Sequence, residues 1–396
     1  MSIVIGGGVY HENCLSPSYI ALLGSGGRAS VALTQLSTSV ALHAFYPAAE
    51  ARDAELALSA YGVTTTFYDS SNVIGFDYFH PLSSPRIYPI PLPVTALLPK
   101  ISGEVVLRFG CLEGSFSAFG KRVIYDPQSG ARPEYFRENG SQAEELALVL
   151  NHQEAQLLTG QDDPSIAAGI LLERERARIV VLKMGASGAR VFELGKAAVN
   201  IPAYRAKTIN KIGSGDIFSA VFAHFWGECG LDVGQAADIA SRYTSKYVED
   251  RCLPLQAAPP GDRQEISGYK SSRIYLGGPF FTTPQIWMIE EARSGLLSLG
   301  AEIFSPMHEI GFGRPGEVAR ADLEGLDGCG AMLALLAEPD PGTLFEIGYA
   351  RARGIPVVVF AQAMRDQDPT MLIGTDCEIV SDFATSLYHV VWARES

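Results

Sequence analysis

The chain has 396 residues, 47% hydrophobic and 19% charged, with a formal net charge of −13. That length exceeds what one hydrophobic core usually organises, and the composition excludes a disordered, coiled-coil or collagen-like chain. The acidic balance and the lack of any basic run exclude a phosphate-tracking surface, so no nucleic-acid polymer is expected as a partner.

The six cysteines, Cys14, Cys111, Cys229, Cys252, Cys329 and Cys377, form no Cys-x-x-Cys pair. They fit neither a disulfide framework nor a zinc site. The start, Met-Ser-Ile-Val-Ile-Gly-Gly-Gly, enters a strand directly and lacks the pattern of a signal peptide. No apolar segment reaches the length of a membrane span. The expectation is a cytoplasmic protein without a membrane partner, and the low charged fraction points to a homo-oligomer.

In chain order, β-branched runs at 2–5, 105–109, 123–125 and 179–182 alternate with helical periodicity, which predicts a mainly parallel sheet with crossover helices. Residues 252–272 are rich in Pro, Gly and polar residues and lack an apolar period. They place a linker at 254–272 between domains at 1–253 and 273–396. Beyond it the pattern restarts with a strand at 274–276, a Gly-Gly-Pro turn, a helix through Leu299 and a strand at 302–304. Strands at 331–336 and 357–360 flank a helix at 343–353.

The first domain's most informative segment is Asn210-Lys-Ile-Gly-Ser-Gly-Asp216, ahead of an apolar helix. Amides of Gly213, Ser214 and Gly215 at a helix N-terminus form an anion hole for a phosphoryl group, and Asp216 is the candidate base for an attacking hydroxyl. The same residues suit a glycine turn with an acidic cap. Asn151 and Glu154 also read as a helix cap, and Arg28 reads as a solvated helix charge.

These segments resemble the PfkB (ribokinase-like) carbohydrate kinases. Asn210 to Asp216 resembles their Asp-Thr-x-Gly-Ala-Gly-Asp signature, with Asn210 for the first Asp and Ser214 for Ala. Gly24-Ser-Gly-Gly-Arg-Ala-Ser-Val-Ala32 resembles the first signature, with Ser30 where Asn is common. The resemblance implies a ribokinase-like three-layer α/β domain that uses ATP and magnesium. It implies that Asn13, Gly26 and Gly27 bind substrate, that Lys183, Gly185 and Gly188 lie near the nucleotide, and that Asn151 and Glu154 organise Mg2+ through water. Asn13 stands where the family has an Asp, beside Glu12.

In the second domain, Asp340-Pro-Gly-Thr-Leu-Phe-Glu346 follows an apolar strand. A strand, an acidic turn and a helix bearing Glu346 in its first turn would present two carboxylates in one cleft, which suits cleavage of an N-glycosidic bond. A Thr343-capped helix is the plainer reading.

With Tyr275-Leu-Gly-Gly-Pro-Phe-Phe281 and Ala321-Asp322-Leu-Glu-Gly-Leu-Asp327, this segment resembles the nucleoside 2-deoxyribosyltransferases. The resemblance implies a smaller Rossmann/flavodoxin-like parallel-sheet domain without a cofactor. Glu346 would be the nucleophile, Asp322 and Asp340 would aid base binding and protonation, Tyr275 would orient Glu346, and Gly278 would line the substrate. Tyr275 also reads as a packed strand aromatic and His308 as a loop histidine. The family's neighbouring-subunit Asn has no counterpart here; Asp368-Pro-Thr-Met371 occupies that region.

The whole reads as a bifunctional enzyme of small-molecule nucleosides, nucleotides or sugars. The alternative is a deoxynucleoside 5′-monophosphate N-glycosidase with a kinase-like nucleotide-sensing or assembly domain.

Overall fold

The apolar runs expected as strands are strands, and several extend well beyond the run that announced them. The computed structural model describes residues 2–92, 94–128, 133–266, 272–336, 338–362 and 370–393. It divides into two units, Met1–Ala206 with Lys211–Glu265, and Lys207–Asn210 with Ile266–Ser396.

Unit 1 contains β1 (Ser2–Gly6), β2 (His11–Cys14), β3 (Tyr19–Leu22), α1 (Gly24–Leu33), β4 (Ser39–Phe45), α2 (Ala51–Ser59), β5 (Thr64–Tyr68), β6 (Gly75–Tyr78) and β7 (Arg86–Tyr88). It continues through β8 (Lys100–Phe109), β9 (Ser117–Asp126), β10 (Gln142–Asn151), α3 (His152–Thr159), α4 (Pro164–Arg174), β11 (Ile179–Lys183), β12 (Ala189–Glu193) and β13 (Val199–Ile201). Then come β14 (Ala203–Tyr204), α5 (Ser214–Phe222) and α6 (Val233–Asp250), with β15 (Glu265–Ile266) at its edge.

Nine strands form one sheet in the order β13-β12-β11-β10-β9-β8-β1-β4-β5. It is parallel from β11 to β5 and antiparallel at the β12 and β13 edge. Side-chain alternation splits its two faces. Val123 and Tyr125 pack with Ala155, Ala167 and Leu171 of α3 and α4, whereas Ile124 faces Gly227, just beyond α5. Helices therefore cover both faces, as a parallel sheet requires. A second sheet, β3-β2-β6-β7, stands apart from the main one.

In unit 2, β16 (Arg273–Gly277), α7 (Thr283–Ser298), β17 (Ile303–Phe304), α8 (Pro306–Glu309), α9 (Pro315–Asp327) and β18 (Cys329–Leu335) are followed by α10 (Pro341–Ala352), β19 (Val357–Phe360), α11 (Thr370–Gly374), β20 (Glu378–Val380) and α12 (Phe383–Ala393). Its five strands are all parallel, in the order β17-β16-β18-β19-β20. Numbered within the unit this is 2-1-3-4-5, the flavodoxin-like order, whose ligands bind at the carboxyl ends of the strands where the winding reverses. That reversal lies between β16 and β18. No described helix is long and apolar enough to cross a membrane.

Glycine is required where α1 meets β1. The Gly26 amide donates to the Gly8 carbonyl at 2.9 Å, and a Cβ on Gly26 would lie 2.7 Å from the Gly7 carbonyl carbon. Backbone against backbone leaves no side chain to move aside. Gly26→Ala is expected to cost about 2 kcal/mol or more of unit 1 stability through overpacking, measured by urea denaturation followed at that unit's signal.

Candidate active sites

Three adjacent strands of unit 1 end on polar residues beside one helix mouth. β9 ends on Asp126, β10 on Asn151 and β11 on Lys183, and α5 opens with Asp216 in its first turn. Asp126 is 0% exposed. Its Oδ2 accepts from Lys183 Nζ and Ser219 Oγ, each at 2.6 Å, while Oδ1 is buried without a partner among the described residues. Burial pushes the Asp126 carboxyl upward, and the Lys183 charge opposes that. Burial also works against the Lys183 charge, but Asp126 and Glu154 outweigh it and lift the ammonium above its usual range.

Asp216 has both oxygens engaged. Oδ1 accepts from Gln128 Nε2 at 2.6 Å and Oδ2 from Arg28 Nη1 at 2.6 Å. Arg28 is not the solvated charge expected from the sequence: it is 1% exposed. Its Nη2 pairs with Glu12 of β2, its Nε donates to the Tyr247 hydroxyl at 2.9 Å, and Nη1 also reaches the Gly24 carbonyl at 3.3 Å. The reason is that every residue of α1 is buried, so the helix has no wet face to carry a charge. Gly213, at φ +78°, is where Arg28 crosses the helix mouth, since a Cβ there would overlap the guanidinium.

Of the expected anion-hole amides, that of Ser214 already donates to the Lys211 carbonyl at 3.0 Å. Gly215 lies beside Lys183, whose Nζ would be 3.4 Å from an added Cβ. Gly185 and Gly188 shape the turn after β11, where Met184 donates to the Gly188 carbonyl at 2.8 Å. Gly26 packs on Gly7, and Gly27 faces Val9 and Leu58. Glu12 and Asn13 point to opposite sides of β2: Glu12 meets Arg28, and Asn13 Nδ2 reaches Asp77 Oδ1 at 3.4 Å.

Asn151 and Glu154 form a reciprocal capping box at the start of α3, with bonds of 2.9 and 2.8 Å. Burial, then the Asp126 charge, pushes Glu154 up to about 7. A cation would relieve that crowding of carboxylates. That crowding beside the Asn151 cap suits an ion held through its own waters, as magnesium commonly is.

The unit 2 site lies at the winding reversal. Tyr275 of β16 is 0% exposed, and its hydroxyl donates to Glu346 Oε1 at 2.9 Å. Tyr275 is thus both a packed strand aromatic and a partner of the carboxylate. A Cβ on Gly277 would come within 2.9 Å of Glu346 Oε2, and one on Gly278 within 3.0 Å of the Leu335 side chain. The helix begins earlier than expected. Asp340, not Thr343, is its N-cap, and Asp340 Oδ2 accepts from Thr343 N at 2.7 Å and Thr343 Oγ1 at 2.8 Å. Glu346 consequently sits in the second turn of α10, not the first.

Burial pushes Glu346 up to about 7, with Tyr275 lowering it and the Asp322 and Asp340 charges raising it further. Burial also raises Asp322, whose Oδ1 is buried without a partner among the described residues. A cavity of about 470 Å³ lined by Pro279, Thr282, Gln285, Met288 and Leu335 opens after β16 and β18. His308 is not in a loop as expected but in the short helix α8, where Ser305 at 2.9 Å and Glu290 at 3.0 Å satisfy its ring. Asp368 and Pro369 lie outside the described residues.

The pfkB family carbohydrate kinase model matches residues 121–251, and the nucleoside 2-deoxyribosyltransferase model matches residues 274–382. The chain joins a pfkB-like domain to a nucleoside 2-deoxyribosyltransferase-like domain. A search of curated proteins finds no match. Among solved structures, ribokinase from Thermotoga maritima is 16% identical with a TM-score of 0.50, over 66% of this chain and 96% of that one. A pyrophosphate-dependent kinase of the ribokinase family, complexed with a pyrophosphate analog and myo-inositol, is 17% identical with a TM-score of 0.47, over 65% and 98%. Fructokinase from Vibrio cholerae is 13% identical with a TM-score of 0.47, over 65% and 94%. The ribokinase likeness shows the fold of the pfkB-like domain.

Sequence reasoning missed Asp126, Gln128 and the burial of Arg28, and named Glu12 without a role. One signal was available for Arg28, because Gly24 to Leu33 contains no other charged residue and reads as a helix buried all round. Removing the guanidinium leaves Glu12 and Asp216 buried and uncompensated. Arg28→Met is expected to destabilise the pfkB-like domain by about 3–5 kcal/mol at pH 7. The loss is read from the urea denaturation midpoint beside that of the unsubstituted chain.

Proposed function

We propose that the deoxyribosyltransferase-like domain breaks the N-glycosidic bond of 2′-deoxynucleosides or their 5′-monophosphates, with Glu346 as nucleophile. The carrying observation is a carboxylate hydrogen-bonded by Tyr275 at 2.9 Å, at the winding reversal of a parallel sheet. Glu346 attacks the anomeric carbon while the base departs, and the half-buried Asp322 carboxyl, raised by burial, hydrogen-bonds the base and supplies a proton. Asp340 keeps one oxygen on its helix cap, which leaves the other to aid base binding. Water or a second base then releases the sugar, giving hydrolysis or exchange.

The pfkB-like domain transfers the γ-phosphoryl group of ATP to a sugar or nucleoside hydroxyl, with Asp216 as base. Lys183, Gly185 and Gly188 bind the nucleotide, and the amides of Gly213 and Gly215 at the start of α5 receive the phosphoryl charge. Magnesium held through water at Asn151 and Glu154 would neutralise phosphate charge when bound. A specific observation favours a second reading, a nucleotide-sensing domain without turnover: Arg28 and Gln128 occupy both oxygens of Asp216.

Glu346→Gln is expected to reduce base release from a deoxynucleoside panel by on the order of a thousandfold, and unchanged turnover would remove Glu346 from its role. Because attack needs the ionised form, kcat/KM for base release should fall about tenfold per unit as the pH drops below about 7. Tyr275→Phe deletes the group that lowers Glu346, so this limb should move to higher pH.

Incubation with ATP, magnesium and the same panel separates the two readings of the first domain. Asp216→Asn should abolish phosphate gain, by about 10²–10⁴-fold, if the domain is a kinase. Saturable ATP binding without phosphorylated product identifies the sensor.

A further inference from the structure

At the far end of the helix that Asp216 opens, a second set of reactive side chains meets. Residues Ala223–Glu228 form a π-helical turn, closed by the Cys229 amide on the His224 carbonyl at 2.9 Å. Such wide turns are rare and are enriched at functional sites. In a regular α-helix the residue five positions on is rotated well away from the first. Here the widened turn brings both the fourth and the fifth residue against His224.

Glu228 Oε2 lies 2.7 Å from His224 Nδ1, and Cys229 Sγ lies 3.4 Å from His224 Nε2. The Ser37 hydroxyl donates to the same Glu228 oxygen and lies 3.2 Å from Nδ1. His224 and Glu228 are 8% and 7% exposed, whereas Cys229 is exposed. Glu228 Oε1 is buried without a partner among the described residues.

The chemistry follows from donor and acceptor roles. An ionised carboxylate only accepts, so the imidazole proton sits on Nδ1 and the Nε2 lone pair faces the thiol. A thiol, a base and a group orienting the base are the parts of an activated nucleophile. We propose that Cys229 is a reactive thiol served by His224 as general base and Glu228 as its orienting group, and that it exchanges with low-molecular-weight disulfides.

In the exchange, the Cys229 proton passes to His224 Nε2 and the sulfur attacks one sulfur of the disulfide. The S–S bond breaks, and the departing thiolate takes the proton back from His224. One disulfide is consumed, one mixed disulfide forms at Cys229, and one small thiol is released. Burial and the Glu228 charge push the Cys229 thiol up, so the thiolate is scarce near neutral pH and reaction there depends on His224 taking the proton.

The test uses the intact chain at pH 7 with glutathione disulfide, and separately with iodoacetamide, following modification of each cysteine by peptide mass over time. Cys252 is the internal control, being exposed and without a histidine partner among the described residues. Cys229 should react at least about tenfold faster than Cys252 in the native protein, and the difference should vanish in denaturant. His224→Gln should bring Cys229 to within about twofold of Cys252 while the thermal midpoint shows that the chain still folds. If that variant does not fold, the native against denatured comparison on the unsubstituted chain decides. Equal rates at Cys229 and Cys252 in the native protein would overturn the proposal, leaving Ser37, His224 and Glu228 as a buried polar network that supports packing only.

Discussion

A carboxylate taken out of water has to be met by a cation, by hydrogen-bond donors or by a proton, and the two domains meet that constraint differently. In the pfkB-like domain, Asp126 receives Lys183 and Ser219. Glu12 and Asp216 share Arg28. Each of these acids is held in place by a fixed cation beside it, which makes a rigid frame of alternating charge. In the deoxyribosyltransferase-like domain, Glu346 has Tyr275 as its donor, and its other charged neighbours are the acids Asp322 and Asp340. It holds a proton up to about neutrality. A carboxylate so poorly compensated is stabilised most by a positive centre that arrives with the substrate, and the cationic anomeric carbon of a departing nucleoside sugar is such a centre.

Parallel sheets make both arrangements possible, because their strands all deliver carboxyl ends to one edge. Asn151 and Lys183 are register partners on adjacent strands, and Asp126 ends the strand on the other side of Asn151. In the second domain the winding reversal between β16 and β18 opens a cleft into which Gly277 and Gly278 admit Glu346 and the Leu335 side chain at close range. Glycine serves there by absence: a side chain at Gly277 would press on the Glu346 carboxylate.

Much of this was legible in the sequence because the signals are local. A strand end, a glycine turn and an acid at a helix start lie within a few residues, so the neighbourhoods of Asp216, Glu346 and the Asn151–Glu154 cap could be read directly. The length of the strands could not, since residues such as Lys100 and Ser102 belong to β8 through pairing and not through their own preference. The partners of the acids were also hidden. Arg28 and Asp216 are 188 positions apart, and Gln128 and Asp216 are 88 apart; no periodicity links such pairs. The cap of α10 was misplaced for a smaller reason. Asp340 and Thr343 are both good capping types, and Pro341, which suits the first turn of a helix, favours the earlier start.

The grip on Asp216 also orders the events that phosphoryl transfer would need. Its two oxygens are held by donors of unequal freedom. Arg28 is fixed by Glu12, Tyr247 and the Gly24 carbonyl as well as by Asp216, and it sits 1% exposed in a helix that is buried throughout. Moving it would break several charge-assisted bonds in a low-dielectric interior. Gln128 lies past the end of β9 and holds Asp216 through one neutral donor, with a longer contact of 3.4 Å to Asp126. An acceptor hydroxyl entering the site would therefore displace Gln128 and not Arg28. It would find Oδ1 turned toward it, while Oδ2 stays anchored and the carboxylate plane stays fixed. Arg28 on this view orients the base, and the only bond exchanged on substrate entry is one amide donor for one hydroxyl donor, a nearly balanced trade for the carboxylate.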